Sequence, residues 1–515
     1  MVCDLSASPL PSAGIAKASQ ERCPRRCSCE AARAVQCYRI TEVPRSTPAS
    51  TTRLYISHSK VRHLQVSDFS RLPGLEELIL FSSGTEAIAN NTFKALSKLR
   101  TLELLKNKLR SIPKPLPTSL EVLKLSDNLI NAIQPSDFEG LKKLQVLEIK
   151  NNILTAFAAS LFSPLFNLQI IVLDGNSIES GSGPLRLPRL KNLSLENNKL
   201  HSLPGTFFAH LPYLQYLSLS GNLLNKVPHE LPRTLRILKL ERNQVKHIRL
   251  REMKHLENLT DLVVSDNQIS SLDGVLLSSN LTTLDLSRNQ LKSVPHRLPS
   301  KLQKLDLSSN QIQRVTLLDF QGLPDLKHLF LDNNAVSVFE DGAVQRCAHL
   351  TNLALEQNLL TTIPMRLPDT LARLDLKGNY IEEIGDLQLK HLKQLQVLNL
   401  RNNKISALDR KVLECLPRLR HLYLDGNPWN CTCDLLKLKK LLTEKGMDVK
   451  SGQCAHPEEC QGETWLSSRR ILQHCEQLYY YVGKKGKEDR RPVKGHVQET
   501  VRAQVEDDEE DYEID

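Results

Sequence analysis

From Leu75 onward one phrase keeps returning along the chain: "LRTLELLKNKL", "LEVLKLSDNLI", "LPRLKNLSLENNKL", "LQKLDLSSNQI", "LQVLNLRNNKI". Its first leucines stand at 75, 99, 120, 144, 168, 190, 214, 235, 259, 281, 302, 326, 350, 371, 395 and 419, and a degenerate copy around Leu54–Val61 makes seventeen. The interval is mostly 24 residues, interrupted by 21 or 22, as between Leu99 and Leu120 or Leu350 and Leu371. Length alone would suggest on the order of three or four ordinary domains. A fixed period overrides that count. One short unit cannot bury its apolar face, so the units must stack into a single elongated body.

The consensus L-x-x-L-x-L-x-x-N-x-L is the leucine-rich repeat, and at this copy number it is a specific signal. The fold expected is an α/β repeat: a leucine-rich repeat solenoid with a curved parallel β-sheet on its concave face. Leucines alternate with polar residues over a short strand, so the leucines point inward and their neighbours face out. The Asn is placed to hydrogen-bond backbone groups where the chain leaves the strand. Strands stacked about 4.8 Å apart give an inner arc of roughly 80 Å. The short repeats return through proline-rich segments such as "VPHELPRTL" and "IPMRLPDTL". The longer ones carry "DFEGLKKL" or "FFAHLPYL", which read as a helical turn.

A solenoid needs a cover at each end. Cys23, Cys27, Cys29 and Cys37 cluster before the repeats, Cys431, Cys433, Cys454, Cys460 and Cys475 cluster after them, and Cys3, Cys347 and Cys415 stand apart. Such clusters around a cysteine-poor middle read as disulfide-bonded caps from an oxidising compartment. The C-x-C pairs lack the C-x-x-C or paired His partners of a zinc site, so no metal is expected. The chain divides into an N-terminal segment (1–22), a cysteine-rich N-terminal cap (23–50), the repeats (51–428), a cysteine-rich C-terminal cap (429–476), and a basic linker with an acidic tail (477–515). Met1–Gln20 lacks the 7–15-residue apolar core of a signal peptide, against the secretion that the cysteines imply. The cysteines and the glycosylation motifs are given the greater weight.

No run of roughly 18 apolar residues spans a membrane. Catalysis is not expected: G-x-x-x-x-G-K-[ST], G-x-S-x-G and H-E-x-x-H are all missing, and the fifteen His are dispersed, many of them at loop positions such as His58, His201 and His296. Neither a cofactor nor a nucleic-acid partner is implied. Charge is segregated, however. The formal net charge is +10, yet "VEDDEEDYEID" (505–515) carries eight carboxylates, which leaves +18 for the remainder. Such a tail cannot fold alone and speaks of partners.

The short–long–long rhythm of repeats, with "CPRRCSCEAARAVQC" before them, resembles the small leucine-rich repeat proteoglycans of the extracellular matrix, on the podocan-like side of that family. The resemblance implies two bonds among Cys23, Cys27, Cys29 and Cys37, and sequence leaves all three pairings open. "NPWNCTCDLLKLKKLL" with Cys454 and Cys475 is similar to the four-cysteine cap of many extracellular repeat proteins, which implies Cys431–Cys454 and Cys433–Cys475. It departs from the two-cysteine ear of the best-known proteoglycans and puts their face-to-face dimer in doubt here. Cys460 is an extra, either a free thiol or an intermolecular bond. Cys347 and Cys415 lie almost three repeats apart, too far for a bond with the usual Cα limit of about 7 Å, and read as buried and inert.

The open face of the strands is the usual binding surface of a solenoid. Its candidate residues are Glu103, Glu148, Asp174, Glu196, Tyr216, Glu241, Asp285, Asp306, Phe330, Asp332, Glu356, Asp375 and Tyr423, against fewer basic ones such as Lys124, Lys239, Lys304, Lys377 and Arg401. This acidic bias favours basic ligands. Five sequons, at Asn90, Asn192, Asn258, Asn280 and Asn430, are candidate N-glycosylation sites. In "ESGSG", Ser180 and Ser182 are candidate glycosaminoglycan acceptors, the alternative being a plain Gly/Ser turn after Ile178. The linker "KKGKEDRRPVKGHV" is placed to hold sulfated glycans or simply to stay soluble. Tyr512 lies in the acidic setting that tyrosine sulfation needs, and a sulfated tail would suit basic growth factors or weak calcium binding. The resemblance implies a secreted matrix protein that binds collagen and growth factors such as transforming growth factor-β and inhibits the latter's signalling. The alternative is a soluble ligand of a cell-surface adhesion receptor.

Overall fold

The computed structural model describes residues 23–30, 33–473 and 475. Cys3, the N-terminal segment, Tyr512 and the charged tail therefore lie outside the described residues. Among the described residues, twenty strands form one continuous sheet. It opens with an antiparallel hairpin, Cys27–Glu30 against Ala34–Tyr38, in which Cys27 faces Cys37. Every later pairing in this sheet is parallel, from Ala34–Tyr38 beside Arg53–Ser57 to His421–Tyr423 beside Asp448–Lys450.

The inner row consists of the leucines. Leu102, Leu123, Leu147, Leu217 and Leu238 are fully buried, and so are their counterparts at the strand exits, such as Leu104, Leu125 and Leu219. Their depth is what makes each repeat depend on its neighbours, at roughly 25 cal/mol per Å² of apolar area removed from water.

The asparagines do more than close a local turn. Asn128 donates through Nδ2 to Leu125 O (3.0 Å) and, one repeat back, to Leu104 O (2.7 Å). Its Oδ1 accepts the amide of Leu109 at 3.0 Å. The same set recurs at Asn222, Asn267 and Asn403, so a buried amide ladder ties each repeat to the one before. The residue preceding each Asn sits in the left-handed region, as at Lys106, Asn151, Arg242 and Asn402. Glycine fills that place at Gly175, where a Cβ would come within 2.1 Å of Asn151 Oδ1.

On the convex side the longer returns make the single turn that their sequence suggests. "DFEGLKKL" and "FFAHLPYL" do not continue into helices: they are single turns, with Asp137 N bonded to Gln134 O (3.0 Å) and Phe207 N to Pro204 O (2.9 Å). Short helices occur elsewhere, at Val66–Phe69, Leu250–Met253, Asp386–Leu389 and Arg410–Glu414. Two of them are started by an acidic side chain reaching back to a backbone amide, Asp68 to Gln65 N and Glu252 to Arg249 N (both 2.8 Å). "SGS" at Ser180–Ser182 is no turn but a strand, parallel to Ala156–Ala158. It overlies a line of phenylalanines, Phe162, Phe157, Phe207 and Phe208, with successive ring centroids 4.8–5.6 Å apart. Gly181 permits that approach: a Cβ there would lie 2.8 Å from Leu203 Cδ2 and 3.1 Å from Phe207 Cε2. Gly181→Val is expected to destabilise the fold by about 1–3 kcal/mol in a urea titration.

Both ends are bonded. The N-terminal pairs are Cys23–Cys29 and Cys27–Cys37. The C-terminal pairs are Cys431–Cys454 and Cys433–Cys475, as the resemblance implied. Helix Cys433–Glu444 covers the last repeat. Trp429 and Trp465 are buried there 5.9 Å apart, and their indoles donate to Leu424 O (3.0 Å) and Ser451 O (2.6 Å). Cys460 is unpaired and buried, closed to an intermolecular bond in this state, and burial pushes its thiol pKa up. Cys347 is buried with its thiol pushed up to about 12 by desolvation, which suits an inert residue. Cys415 is half-buried, short of the full burial expected of it.

Candidate functional site

All thirteen candidate side chains stand on the concave sheet. Tyr216 precedes the central leucine of its strand, and Glu103, Glu148, Asp285, Asp306, Phe330, Asp375 and Tyr423 follow theirs. Asp174, Glu196, Glu241, Asp332 and Glu356 come two residues later, where the chain leaves the strand. All are half-buried except Asp375, which is buried.

They do not form a uniform open surface. Lys124 pairs with Glu103 at 3.0 Å, Lys377 with Glu356 at 2.6 Å, and Arg401 with Asp425 at 2.6 Å. The aromatic faces are covered by cations from neighbouring repeats, the next one for Tyr216 and the preceding one for Phe330 and Tyr423. Lys239 lies 5.7 Å from the Tyr216 ring, Lys304 lies 5.8 Å from Phe330, and Arg401 lies 4.6 Å from Tyr423. Periodicity placed each of these residues, but the pairings between repeats were not read from it.

The carboxylates are held by hydrogen bonds that fix their direction. Asp174 accepts from Ser194 Oγ (2.6 Å) and Glu196 N (2.8 Å), Glu196 accepts from Ser218 Oγ (2.6 Å), and Asp285 accepts from Ser287 Oγ (2.7 Å). Ser308 donates in the same way to Asp306, and Asp332 accepts the Glu356 amide at 2.7 Å. Asp285, Asp306, Asp332, Glu356 and Asp375 occupy five consecutive repeats, whose strands pair in sequence. Burial pushes Asp174, Glu241 and Asp306 above the ordinary carboxylate range. Asp332 rises to about 6, first through desolvation and then through repulsion from Asp375, Glu356 and Asp306, against the pull of its amide bond. Such a row cannot act as a nucleophile–base pair. It presents fixed negative charge to anything cationic that fits the curve, chiefly at Asp285, Asp306 and Asp332, since Lys377 pairs with Glu356 and Asp375 is buried beside Arg373.

Crowding has a consequence for stability. Because the folded pKa of Asp332 exceeds the unfolded value near 3.9, the folded chain holds the extra proton between about pH 4 and 6, and stability falls as pH rises through that window. Asp332→Asn keeps the acceptor for the Glu356 amide and is expected to stabilise the protein by about 1–2 kcal/mol at pH 7.5, the gain vanishing near pH 4. Thermal unfolding at the two pH values measures it.

Among the sequons, Asn90, Asn258 and Asn430 are exposed and Asn280 is half-buried. The side-chain amides of Asn258 and Asn280 already donate to Arg233 O (3.0 Å) and Glu257 O (2.9 Å). Asn192 lies on the concave strand Asn192–Ser194, between Ile170 and Tyr216 of the neighbouring strands. Ser180 and Ser182 are exposed on the convex strand. Among the described residues no group of three or more His, Cys, Asp or Glu could hold a metal ion, and no helix is long and apolar enough to cross a membrane.

The family profile for the leucine rich repeat matches residues 118–178, 188–231, 233–291, 258–312, 279–336, 300–360 and 369–428. Nephrocan of Mus musculus is 62% identical over 454 residues, covering 88% of this chain and 89% of that protein. Podocan-like protein 1 of Homo sapiens is 32% identical over 419 residues, 79% of this chain and 73% of that one. Among solved structures, a complex of latrophilin 3, Unc5D and the leucine-rich repeats of FLRT2 aligns with a TM-score of 0.53 at 30% identity, covering 56% of this chain and 93% of that one. The chain is thus a leucine-rich repeat protein, a binding scaffold and not an enzyme. It belongs to the small leucine-rich repeat proteoglycan family, beside nephrocan and the podocans.

Proposed function

We propose that this protein is secreted into the extracellular matrix, where its concave face binds matrix proteins such as collagen and growth factors such as transforming growth factor-β, holding the latter away from their receptors and so inhibiting signalling. The observation that carries this reading is the row Asp285, Asp306, Asp332, Glu356 and Asp375, whose mutual repulsion a basic partner would relieve. The face is rigid: its leucines are fully buried and its asparagines bonded across repeats. Docking on it therefore costs little conformational entropy, and its charge raises the encounter rate. In this reading the sequons carry N-glycans, and a glycan on Asn192 shields part of the face. Ser180 or Ser182 carries a glycosaminoglycan, and sulfation of Tyr512 strengthens the acidic tail as a second lure for cations.

A second reading, a soluble ligand of a cell-surface adhesion receptor, is favoured by the likeness to FLRT2, whose repeats were solved within a complex with latrophilin 3 and Unc5D. One experiment separates the two. Conditioned medium from cells expressing the chain is applied to cells with a transforming growth factor-β reporter, beside medium holding a variant with Asp285, Asp306 and Asp332 changed to Asn. Inhibition by the parent and not by the variant supports sequestration. No inhibition by either, together with saturable binding to untreated cells, supports the receptor ligand.

A further inference from the structure

The chain's positive charge is not spread along the solenoid. Between Gly183 and His255 stand thirteen Lys and Arg against four Glu, a net of +9, half of the +18 that the chain carries outside its acidic end. The four acids do not cancel it where it is exposed. Glu196 and Glu241 lie on the concave side, and Glu252 is buried, capping its own short helix. Only Glu230 shares the outer surface within that span.

Two adjoining depressions on that surface share Ala209, Pro232 and Arg233 and together make one groove across four successive returns. Arg186, His210, His229, Arg233, Arg251 and His255 line it. Arg186 and His210 are brought side by side by a parallel backbone bridge, and His255 is fixed by a 2.7 Å bond between its Nε2 and Leu231 O. The three arginines are exposed and, among the described residues, make no ion pair and no side-chain hydrogen bond. Arg186 and Arg233 stand two repeats apart and Arg233 and Arg251 one, unpaired cations with Glu230 the one carboxylate lining the groove beside them.

We propose that this convex groove is a binding site for a sulfated glycosaminoglycan chain, separate from the concave face and independent of what that face binds. The occupant follows from the chemistry. A linear polyanion matches cations that recur with the repeat, and each guanidinium can grip a sulfate through two N–H groups. No Phe, Tyr or Trp lines the groove, so stacking of nucleic-acid bases has no platform. Binding is driven by release of counterions and weakens steeply with salt.

The test uses the full secreted chain on immobilised heparin across a series of NaCl concentrations. Three variants are compared: Arg186, Arg233 and Arg251 changed to Ala; a control with Arg71, Lys94 and Lys98, exposed on earlier repeats, changed to Ala; and a third with Lys484, Lys485, Lys487, Arg490 and Arg491 of the linker neutralised. The groove variant is expected to bind about tenfold or more weakly at 0.15 M salt, with a log–log salt slope shallower by about 2–3. Unchanged thermal unfolding shows that it is folded. An Arg→Lys version, which keeps charge but not the fork, is expected to recover only part of the affinity. The proposal is overturned if the control loses as much, if only the linker variant loses affinity, or if duplex DNA or vesicles of anionic lipid bind the groove more tightly than heparin.

Discussion

Replacing Asn267 with alanine should cost about 3 kcal/mol or more, out of proportion to the few atoms removed. Its Nδ2 donates to Leu240 O (2.9 Å), Val264 O (3.0 Å) and Ser265 O (3.0 Å), and its Oδ1 accepts Val245 N (2.9 Å). Alanine leaves the Val245 amide buried and unpaired, at about 1–3 kcal/mol where water cannot reach it, and removes one of two donors from each carbonyl, since Leu240 O, Val264 O and Ser265 O also accept from Asn243 Nδ2, Asn289 Nδ2 and Arg242 N (3.0 Å each). The damage is also directional. Leu240 and Val245 belong to the preceding repeat, so the substitution loosens the coupling between neighbours as well as one unit's own stability. In a quasi-one-dimensional array such a break near the middle splits unfolding into two steps. Urea titration followed by circular dichroism should show the lower midpoint and the second step. A single transition at the parent's midpoint would contradict the role given to the ladder.

Changing both Cys433 and Cys475 to serine should release the C-terminal cap before the repeats unfold. That bond closes a segment with a sequence separation of 42, and loss of a loop of this size destabilises by on the order of 4 kcal/mol in the chain-entropy account. The protein offers a clean readout. It has two tryptophans, and both lie in the cap, buried against each other. Tryptophan emission therefore reports the cap, whereas circular dichroism is dominated by the sheet. In the parent the two signals should change together. In the double variant, emission should shift to the red at a temperature well below the dichroism midpoint. Coincident transitions in the variant would mean that helix Cys433–Glu444 and the tryptophan pair hold the cap without the bond.

Much of this architecture is legible because period, residue type and direction agree at every repeat. A leucine at each second strand position can only point inward if its neighbours are solvated, and Glu103, Glu148 and Asp306 follow directly onto the concave side. What was not legible depends on contacts between repeats. The aromatic residues Tyr216, Phe330 and Tyr423 look like free anchors in a string of letters, yet each has a cation over its ring, supplied by a residue whose partner only the stacking reveals. "ESGSG" reads as a turn because Gly and Ser are turn formers. It is a strand paired with Ala156–Ala158, and Gly181 lets it lie close over Leu203 and Phe207. The convex groove was hidden for the same reason: Arg186, Arg233 and Arg251 lie far apart in sequence, and only the four stacked returns bring them into one groove.

The most direct test of the account is equilibrium binding of transforming growth factor-β to the immobilised, secreted full-length chain at pH 7.4 and pH 5.5. Asp332, with a pKa near 6, is ionised at the first value and largely protonated at the second. The concave acidic face should therefore bind several-fold more weakly at pH 5.5, and the Asp285, Asp306 and Asp332 to Asn variant should bind weakly at both. Equal affinity of parent and variant at pH 7.4 would show that the carboxylate row is not the docking surface, and would contradict the central claim.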